Sequence, residues 1–194
     1  MNEQLEFLQP LTLPPGKNSL FLALFPPGGT VPAIADVADG LRRRHGLKSR
    51  VRPSGHWHVT LHWFGYCSEP SDTVIEALGR ICGPVAARTP AFEIVLDRAT
   101  SFGSRRDGTR PLVLAGRPDG NLALKELHKR LKESGVPGEK GKGFQPHLTL
   151  FYDRKILQDE PVDPVSWKAE EVVLVLSEVG ATKYHHLYRW KLGE

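Results

Sequence analysis

Two short strings of this chain repeat one polar pattern. HVTL at residues 58–61 and HLTL at residues 147–150 both read His-x-Thr-Leu, and both lie in runs typical of a β-strand. Each half of the chain carries one copy, so folding could bring two imidazoles and two hydroxyls together. Imidazoles exchange protons near neutral pH, and hydroxyls hydrogen-bond to phosphate oxygens. The pair is therefore suited to phosphate-ester chemistry.

A strand determines which side chains share a face. Successive side chains point to opposite faces, and a His and a Thr two positions apart lie roughly 6–7 Å apart along the strand. Both can then touch one phosphate. The residues predicted to share the polar faces of the two motif strands are His56, His58, Thr60 and His62 in the first strand and His147, Thr149 and Phe151 in the second.

A structural role is the simpler explanation for a single motif. One His on a strand is more commonly a structural or surface residue than a catalytic one. The repeat changes this balance, because two His-Thr pairs alternating with large apolar residues would place unpaired polar groups in a core unless that face lines a site. The repeated pattern therefore favours a functional cleft.

Composition is compatible with one compact domain spanning residues 1–194. The chain has 194 residues, of which 40% are hydrophobic, a net charge of +4 and a pI near 9.1. A chain of this size can bury a substantial core. Basic clusters can attract a polyanion such as RNA, although many charge runs are only solvated faces. The clusters are Arg42 to Arg44, then Lys48, Arg50 and Arg52, then Arg105, Arg106 and Arg110, then Lys140 and Lys142.

Cysteine use and the chain's first residues predict a cytoplasmic protein. Cys67 and Cys82 have neither a C-x-x-C spacing nor the density of a disulfide scaffold. No secretory signal pattern and no membrane-spanning apolar run is evident. Nor does the sequence contain an H-E-x-x-H motif or a carboxylate cluster beside the histidines, so no metal or cofactor is expected.

Hydrophobic periodicity predicts an α+β fold rather than a regular alternation of strand and helix. The segment before Asn18 is rich in proline and predicts a partly mobile lead-in over residues 1–17. Helices are predicted over 31–45, 71–87 and 120–134, with Ser71 as an N-cap and Gly46 and Gly135 as C-terminal stops. Strands are predicted over 19–25, 57–64, 91–98, 111–116, 147–152, 171–178 and 183–191.

These residues resemble the paired signature of the 2H phosphoesterase superfamily. The two HxTx motifs, the Trp63-Phe64-Gly65 that follows the first, and the Pro146 that precedes the second are similar to the RNA 2',3'-cyclic phosphodiesterase family, historically called 2'-5' RNA ligases. The resemblance extends from the SLFLALF strand to the C-terminal Arg189-Trp190. It implies a two-lobed fold of antiparallel sheets with pseudo-two-fold symmetry around a central cleft, with helices on the outside.

The resemblance also implies an activity. A member of this family is expected to hydrolyse the 2',3'-cyclic phosphate ends of RNA to 2'-phosphomonoesters without a metal, with His58 as acid and His147 as base. Thr60 and Thr149 are expected to hydrogen-bond to the non-bridging oxygens, and Tyr184 matches a Tyr near the family's C-terminus. The expected state is a monomer that acts on RNA or nucleotides and does not associate with membranes.

The chain departs from the family pattern directly after each motif. His62 stands where many members have an Arg or an apolar residue, and Phe151 stands where a small or basic residue is common. Both residues are expected on the cleft-facing side, where they would contact substrate. Substrate selection is the property that these two departures affect.

Three alternative functions use the same residues differently. One is hydrolysis or joining of 2'-5' phosphodiester linkages, and another is hydrolysis of small cyclic phosphates such as an ADP-ribose 1'',2''-cyclic species. The third is a non-catalytic RNA-binding module, favoured by the basic clusters and by aromatic residues that can stack on bases. Those aromatic residues are Trp57, Trp63 and Phe151.

Overall fold

The computed structural model describes residues 12–103, 105, 107–138, 143–181 and 183–193. These residues form eight strands and three α-helices. The strands are β1 (Asn18–Leu24), β2 (Val59–Cys67), β3 (Phe92–Ser101), β4 (Arg110–Ala115), β5 (His147–Asp153), β6 (Glu160–Ala169), β7 (Glu171–Glu178) and β8 (Lys183–Lys191). The helices are α1 (Val31–His45), α2 (Asp72–Ala87) and α3 (Leu122–Glu133).

All eight strands belong to one antiparallel sheet with the order β6-β3-β4-β5-β2-β1-β7-β8. The two motif strands, β2 and β5, lie side by side at its centre. Each is the inner edge of a four-stranded half, and the two halves meet at the single residue pair Val59 and Leu148. The predicted two-lobed α+β architecture with antiparallel strands is confirmed.

The helices cover one face of this sheet. Their buried residues recur at helical spacing and enter one large apolar core together with residues from both halves. Helix α1 follows β1 in the chain but contacts β6, which belongs to the other half of the sheet. Helix α3 follows β4 and contacts β3 of the same half, but it also contacts β2 of the other half. The helical residues of the core include Ile34, Ala38, Leu41, Leu78, Cys82, Val85, Leu124, Leu127 and Leu131.

The helix ends largely follow the sequence signals. Gly46 ends α1 with a φ of 58°, a left-handed conformation that glycine adopts without a Cβ penalty. Ser71 is the N-cap of α2, as predicted, although its side chain makes no capping hydrogen bond. Helix α3 begins after Asn121, whose amide pairs with both backbone groups of Val95 on β3. That pairing fixes the start of α3 against the sheet.

The structure contains one strand that the sequence pattern does not predict. Strand β6 was not predicted, because Pro161 and Pro164 interrupt its pattern; prolines are tolerated there since β6 is an edge strand. Residues 12–17 of the lead-in, the part that the structure describes, contact the rest of the chain. The backbone N–H of Ser68 donates to the carbonyl of Pro14 at 3.1 Å, and Leu13 packs against the core. Residues 1–11 lie outside the described residues.

Candidate active site

The central strand pair places the two motifs diagonally across from one another. Val59 and Leu148 are partners in an antiparallel ladder. Continuing this register by one residue in each direction puts His58 opposite Thr149 and Thr60 opposite His147. Directly opposed side chains on one face of an antiparallel pair have Cβ atoms about 4.5–5.5 Å apart. Each imidazole therefore faces the hydroxyl of the other motif, and the four side chains form one cluster.

The same backbone feature orients both imidazoles. His58 Nδ1 lies 2.9 Å from the carbonyl oxygen of His56, and His147 Nδ1 lies 2.8 Å from that of Gln145. A carbonyl only accepts, so Nδ1 carries the proton and donates in both cases. The Nε2 of each neutral ring is then free to exchange protons with a substrate. His58 Nε2 also lies 3.1 Å from the Thr60 hydroxyl.

Aromatic rings surround the two histidines. Phe21 stacks on His58 with ring centroids 5.1 Å apart, and Tyr184 meets the same ring edge-on at 5.5 Å. Phe102 meets the His147 ring at 4.7 Å. These contacts remove water from the imidazoles while leaving both side chains partly exposed to the cleft.

Burial accordingly lowers the pKa of both imidazoles. The pKa of His58 falls from 6.5 to about 3, mainly because burial removes water from the ring. The hydrogen bond to the His56 carbonyl raises this pKa, whereas the positive charges of Arg52 and His147 lower it further. Burial also lowers the pKa of His147, against the raising effect of the Gln145 carbonyl. At neutral pH both rings are therefore neutral in the free protein.

A β-bulge lies at the last residue of each motif and changes the orientation of the side chains that follow. On β2, Thr60 pairs with Ala23 and His62 with Leu22, so Leu61 has no partner on β1. On β5, Thr149 pairs with Val113 and Phe151 with Leu112, so Leu150 has no partner on β4. A bulge inserts one extra residue and shifts the alternation of side chains. Strict alternation therefore fails after each Leu.

Phe151 lies outside the cleft as a result, and the ring of His62 is turned toward α3. Phe151 is fully buried in the large core on the helix side of the sheet. His62 is 6% exposed, packs edge-on against Phe64, and its Nε2 donates to the carbonyl oxygen of Pro137 at 2.8 Å. The expectation that Phe151 shares the face of the catalytic pair is wrong, whereas His62 lines a pocket that Thr60 and His147 also line.

The residues that do turn into the cleft come one position later. Trp63 packs with Phe21 and Tyr184 on the cleft side of the sheet, where Ala23 and Val173 also lie. Tyr152 lies beneath two guanidinium groups, with the Cζ of Arg105 at 4.8 Å and the Cζ of Arg52 at 5.7 Å from its ring centre. Strict alternation along the strands predicts neither Trp63 nor Tyr152 on the polar faces.

Arg52, which the sequence marks only as part of a basic cluster, lies beside the motif histidine His58. Its Nη2 donates to the Tyr184 hydroxyl at 3.2 Å and lies 3.4 Å from Nδ1 of His56. Its backbone N–H donates to the carbonyl of Leu150 at 2.8 Å, which connects it to the other half of the sheet. No carboxylate among the described residues forms a salt bridge with Arg52. Its positive charge is therefore available to an anion.

Tyr184 lies beside both His56 and His58. Its ring stacks on His56 at 4.2 Å with the planes 8° apart, beside the His58 ring. Burial raises the pKa of its hydroxyl, so this group is protonated at neutral pH and can donate a hydrogen bond. Trp57, in contrast, is buried in the large core.

The described residues show neither a metal-binding cluster nor a membrane-spanning helix. In the parts of the chain that the structure describes, no group of three or more His, Cys, Asp and Glu side chains is arranged to hold a metal ion. None of the three described helices is long and apolar enough to cross a membrane.

Comparison with known proteins identifies a family model and solved structures that are similar to this chain. The sequence profile of the 2'-5' RNA ligase superfamily matches residues 30–180. Sequence comparison with curated proteins gives no match. Among solved structures, LigT of E. coli complexed with 3'-AMP is 24% identical, with a TM-score of 0.67 and coverage of 91% of this chain and 99% of LigT.

Two further structures share the fold. TT0787 of Thermus thermophilus is 24% identical, with a TM-score of 0.62 and coverage of 91% of this chain and 99% of TT0787. Usb1 of Kluyveromyces marxianus is 14% identical, with a TM-score of 0.55 and coverage of 90% of this chain and 97% of Usb1. At these identities the likeness of all three structures concerns the fold.

Proposed function

The chain belongs to the 2'-5' RNA ligase superfamily of 2H phosphoesterases, and on this basis we propose that it hydrolyses 2',3'-cyclic phosphate ends of RNA to 2'-phosphomonoesters. The observation that supports this proposal best is the pair of identically oriented imidazoles. His58 and His147 each donate from Nδ1 to a carbonyl two residues earlier, and each lies across the central strand pair from a threonine. This is the arrangement that acid-base attack on a single phosphate requires.

The proposed reaction needs one base and one acid. His147 Nε2 accepts a proton from water, whose oxygen attacks the phosphorus. His58, protonated on Nε2, gives its proton to the departing 3' oxygen as the P–O3' bond breaks, leaving a 2'-phosphate. Thr60 and Thr149 donate hydrogen bonds to the non-bridging oxygens as negative charge grows on them. Each positioned proton transfer typically contributes about 10²–10⁴-fold to the rate.

Substrate binding favours the protonated form of His58, which takes its proton from solvent. In the free protein, burial and the charge of Arg52 keep His58 neutral. A bound phosphate brings negative charge next to both groups, which favours the charged imidazole and offsets the repulsion from Arg52. Arg52 and Arg105 both lie against Tyr152 and support binding of an anion at this end of the cleft.

The proposal includes a nucleotide partner. The structure of LigT with 3'-AMP supports nucleotide binding by this fold. The basic clusters support RNA as the substrate. We also propose a monomer that acts in the cytoplasm, in keeping with the two free, buried thiols of Cys67 and Cys82.

The deciding experiment is turnover of nucleoside 2',3'-cyclic phosphates with EDTA present, with chromatographic separation of 2'- and 3'-monophosphates. We expect the 2'-phosphate, and we expect turnover to be lost in both His58→Ala and His147→Ala. His185→Ala is the matched control, because His185 pairs with Glu178 at the sheet edge. A 3'-phosphate product, or activity that survives both catalytic substitutions, would contradict the proposal.

The same assay separates the alternatives. Turnover of a 2'-5'-linked dinucleotide, without turnover of cyclic phosphates, would identify a 2'-5' phosphodiesterase. Preference for an ADP-ribose 1'',2''-cyclic phosphate would identify a small-nucleotide enzyme. RNA affinity that is unchanged in His58→Ala and His147→Ala, with no turnover of any substrate, would identify a binding module.

A further inference from the structure

Beyond the Val59–Leu148 pair, β2 and the segment leading into β5 diverge, and a pocket of about 210 Å³ opens in the fork between them. We call it the fork pocket. It begins at Thr60 and His147, so it is continuous with the proposed catalytic cluster, and it extends away from Arg52. Its lining residues are Thr60, Leu61, His62, Trp63, His128, Lys132, Gly143, Phe144, Gln145 and His147.

The walls of the fork pocket are held in place by specific contacts. His128, on α3, donates from Nδ1 to the carbonyl of Leu61 at 2.7 Å. Its ring stacks on Phe144 with centroids 4.0 Å apart and planes 11° apart. His128 therefore connects the bulge of β2 with the segment that enters β5. The fork pocket is consequently a built feature of the fold, with polar and aromatic groups on its walls.

Among the residues that the structure describes, the charge on the walls of the fork pocket has one sign. Lys132 lies one helical turn after His128. Its ammonium lowers the pKa of both His62 and His128, in addition to the lowering that burial causes. None of the described residues that line the fork pocket is an Asp or a Glu. The neighbouring cations on α3 are paired, Lys129 with Glu133 and Arg130 with Glu126, whereas Lys132 forms no salt bridge with any described carboxylate.

We propose that the fork pocket binds the phosphodiester on the 5' side of the nucleotide that carries the reacting phosphate, with Lys132 as its cationic contact. This inference rests on the proposed function and specifies its substrate as an RNA strand rather than a free mononucleotide. A cyclic phosphate between His58 and His147 leaves the rest of the substrate to extend along the cleft. The fork pocket gives that extension an unpaired cation and aromatic walls.

The test compares two substrates that differ by one charge. One is a nucleoside 2',3'-cyclic phosphate with a 5'-hydroxyl, and the other carries a 5'-O-methylphosphate, which adds the diester without adding a base. The measured quantity is the ratio of their kcat/KM values. We expect Lys132→Gln to lower the preference for the 5'-methylphosphate about three- to tenfold, the range expected for one exposed charge-assisted contact.

Two matched variants make the result specific. Lys129→Gln, on the same helix, should keep the wild-type ratio, and Lys132→Arg should keep most of it. An unchanged ratio in Lys132→Gln overturns the inference. An equal fall of the ratio in Lys129→Gln also overturns it, because the effect would then come from the overall positive charge of the helix and not from a contact with Lys132. If the wild-type protein turns over neither substrate, the proposed function fails. Calorimetric binding of the two corresponding 2'-phosphates to the same variants then decides the inference separately.

Discussion

Trp63 and Tyr152 occupy equivalent positions, each five residues after a motif histidine, and both reach the cleft through a bulge at the intervening leucine. The two bulges are supported in parallel ways. The carbonyl of Leu61 accepts from His128 Nδ1 at 2.7 Å, and the carbonyl of Leu150 accepts from the Arg52 N–H at 2.8 Å. Each bulge leaves a leucine carbonyl without a partner on the neighbouring strand, and in both halves another residue donates a hydrogen bond to it.

Core and cleft roles can be separated at adjacent residues of β5. We expect Phe151→Ala to reduce the free energy of unfolding by about 3–5 kcal/mol, because it empties a fully buried aromatic site. We expect Tyr152→Ala to change stability far less and to raise KM, because Tyr152 lies at the cleft beneath Arg52 and Arg105. Urea unfolding and steady-state kinetics measure the two effects. A large rise in KM without loss of stability in Phe151→Leu would indicate that Phe151 lines the cleft.

The threonines should affect kcat more than KM. Thr60→Val and Thr149→Val keep the shape of each side chain but remove its hydroxyl, and we expect each to lower kcat about 10- to 100-fold through loss of transition-state hydrogen bonds. Thr73→Val, at an exposed position of α2, is the control. Steady-state kinetics on a cyclic phosphate gives both parameters. A change confined to KM would assign the hydroxyls to ground-state binding.

The pH dependence of kcat/KM should peak on the acid side. That parameter reports the free enzyme, in which the pKa values of His58 and His147 are both lowered. The form with one protonated imidazole is therefore most populated below pH 6.5. Arg52→Gln removes a charge that lowers the pKa of His58 and should move the optimum upward. Arg50→Gln, at an exposed position, should leave the optimum unchanged. A wild-type optimum above pH 7 would contradict the lowered pKa values of the two histidines.

Stability should fall as the solution is acidified. His58, His62, His128 and His147 all have a lowered pKa in the folded protein. The unfolded chain binds protons near pH 6.5 that the folded chain does not, so the free energy of unfolding decreases as pH drops through and below that value. Urea unfolding at pH 7.5 and 5.5 checks this. His128→Phe should reduce the slope, whereas a flat profile in the wild-type protein would show that the four rings remain hydrated.

The sequence predicts the local elements well and the non-local ones poorly. Three helices follow from the spacing of apolar residues such as Ile34, Leu78 and Leu127, because periodicity is a property of the segment itself. Strand β6 depends on pairing with β3, and its prolines obscure it. Likewise, no residue type within HVTLHW or HLTLFY signals a bulge, because a bulge is defined by the partner strand.

The same distinction applies to the candidate site. The His-Thr cluster could be predicted because each motif is short and each half of the chain repeats it. Arg52 could not be singled out from Lys48 and Arg50, since its contacts with Tyr184 and Leu150 join residues far apart in the chain. The sequence misplaces Phe151 for the same reason: strict alternation takes no account of a bulge.

The exchange of helices between the halves has a consequence for how the protein comes apart. Helix α1 packs on β6 and helix α3 on β2, so neither half retains its full apolar cover when the other unfolds. Although the sheet itself is joined by one residue pair, loss of either half exposes the core of both. The two lobes are therefore one cooperative unit, and denaturant should abolish helix signal and tertiary signal in a single coincident transition.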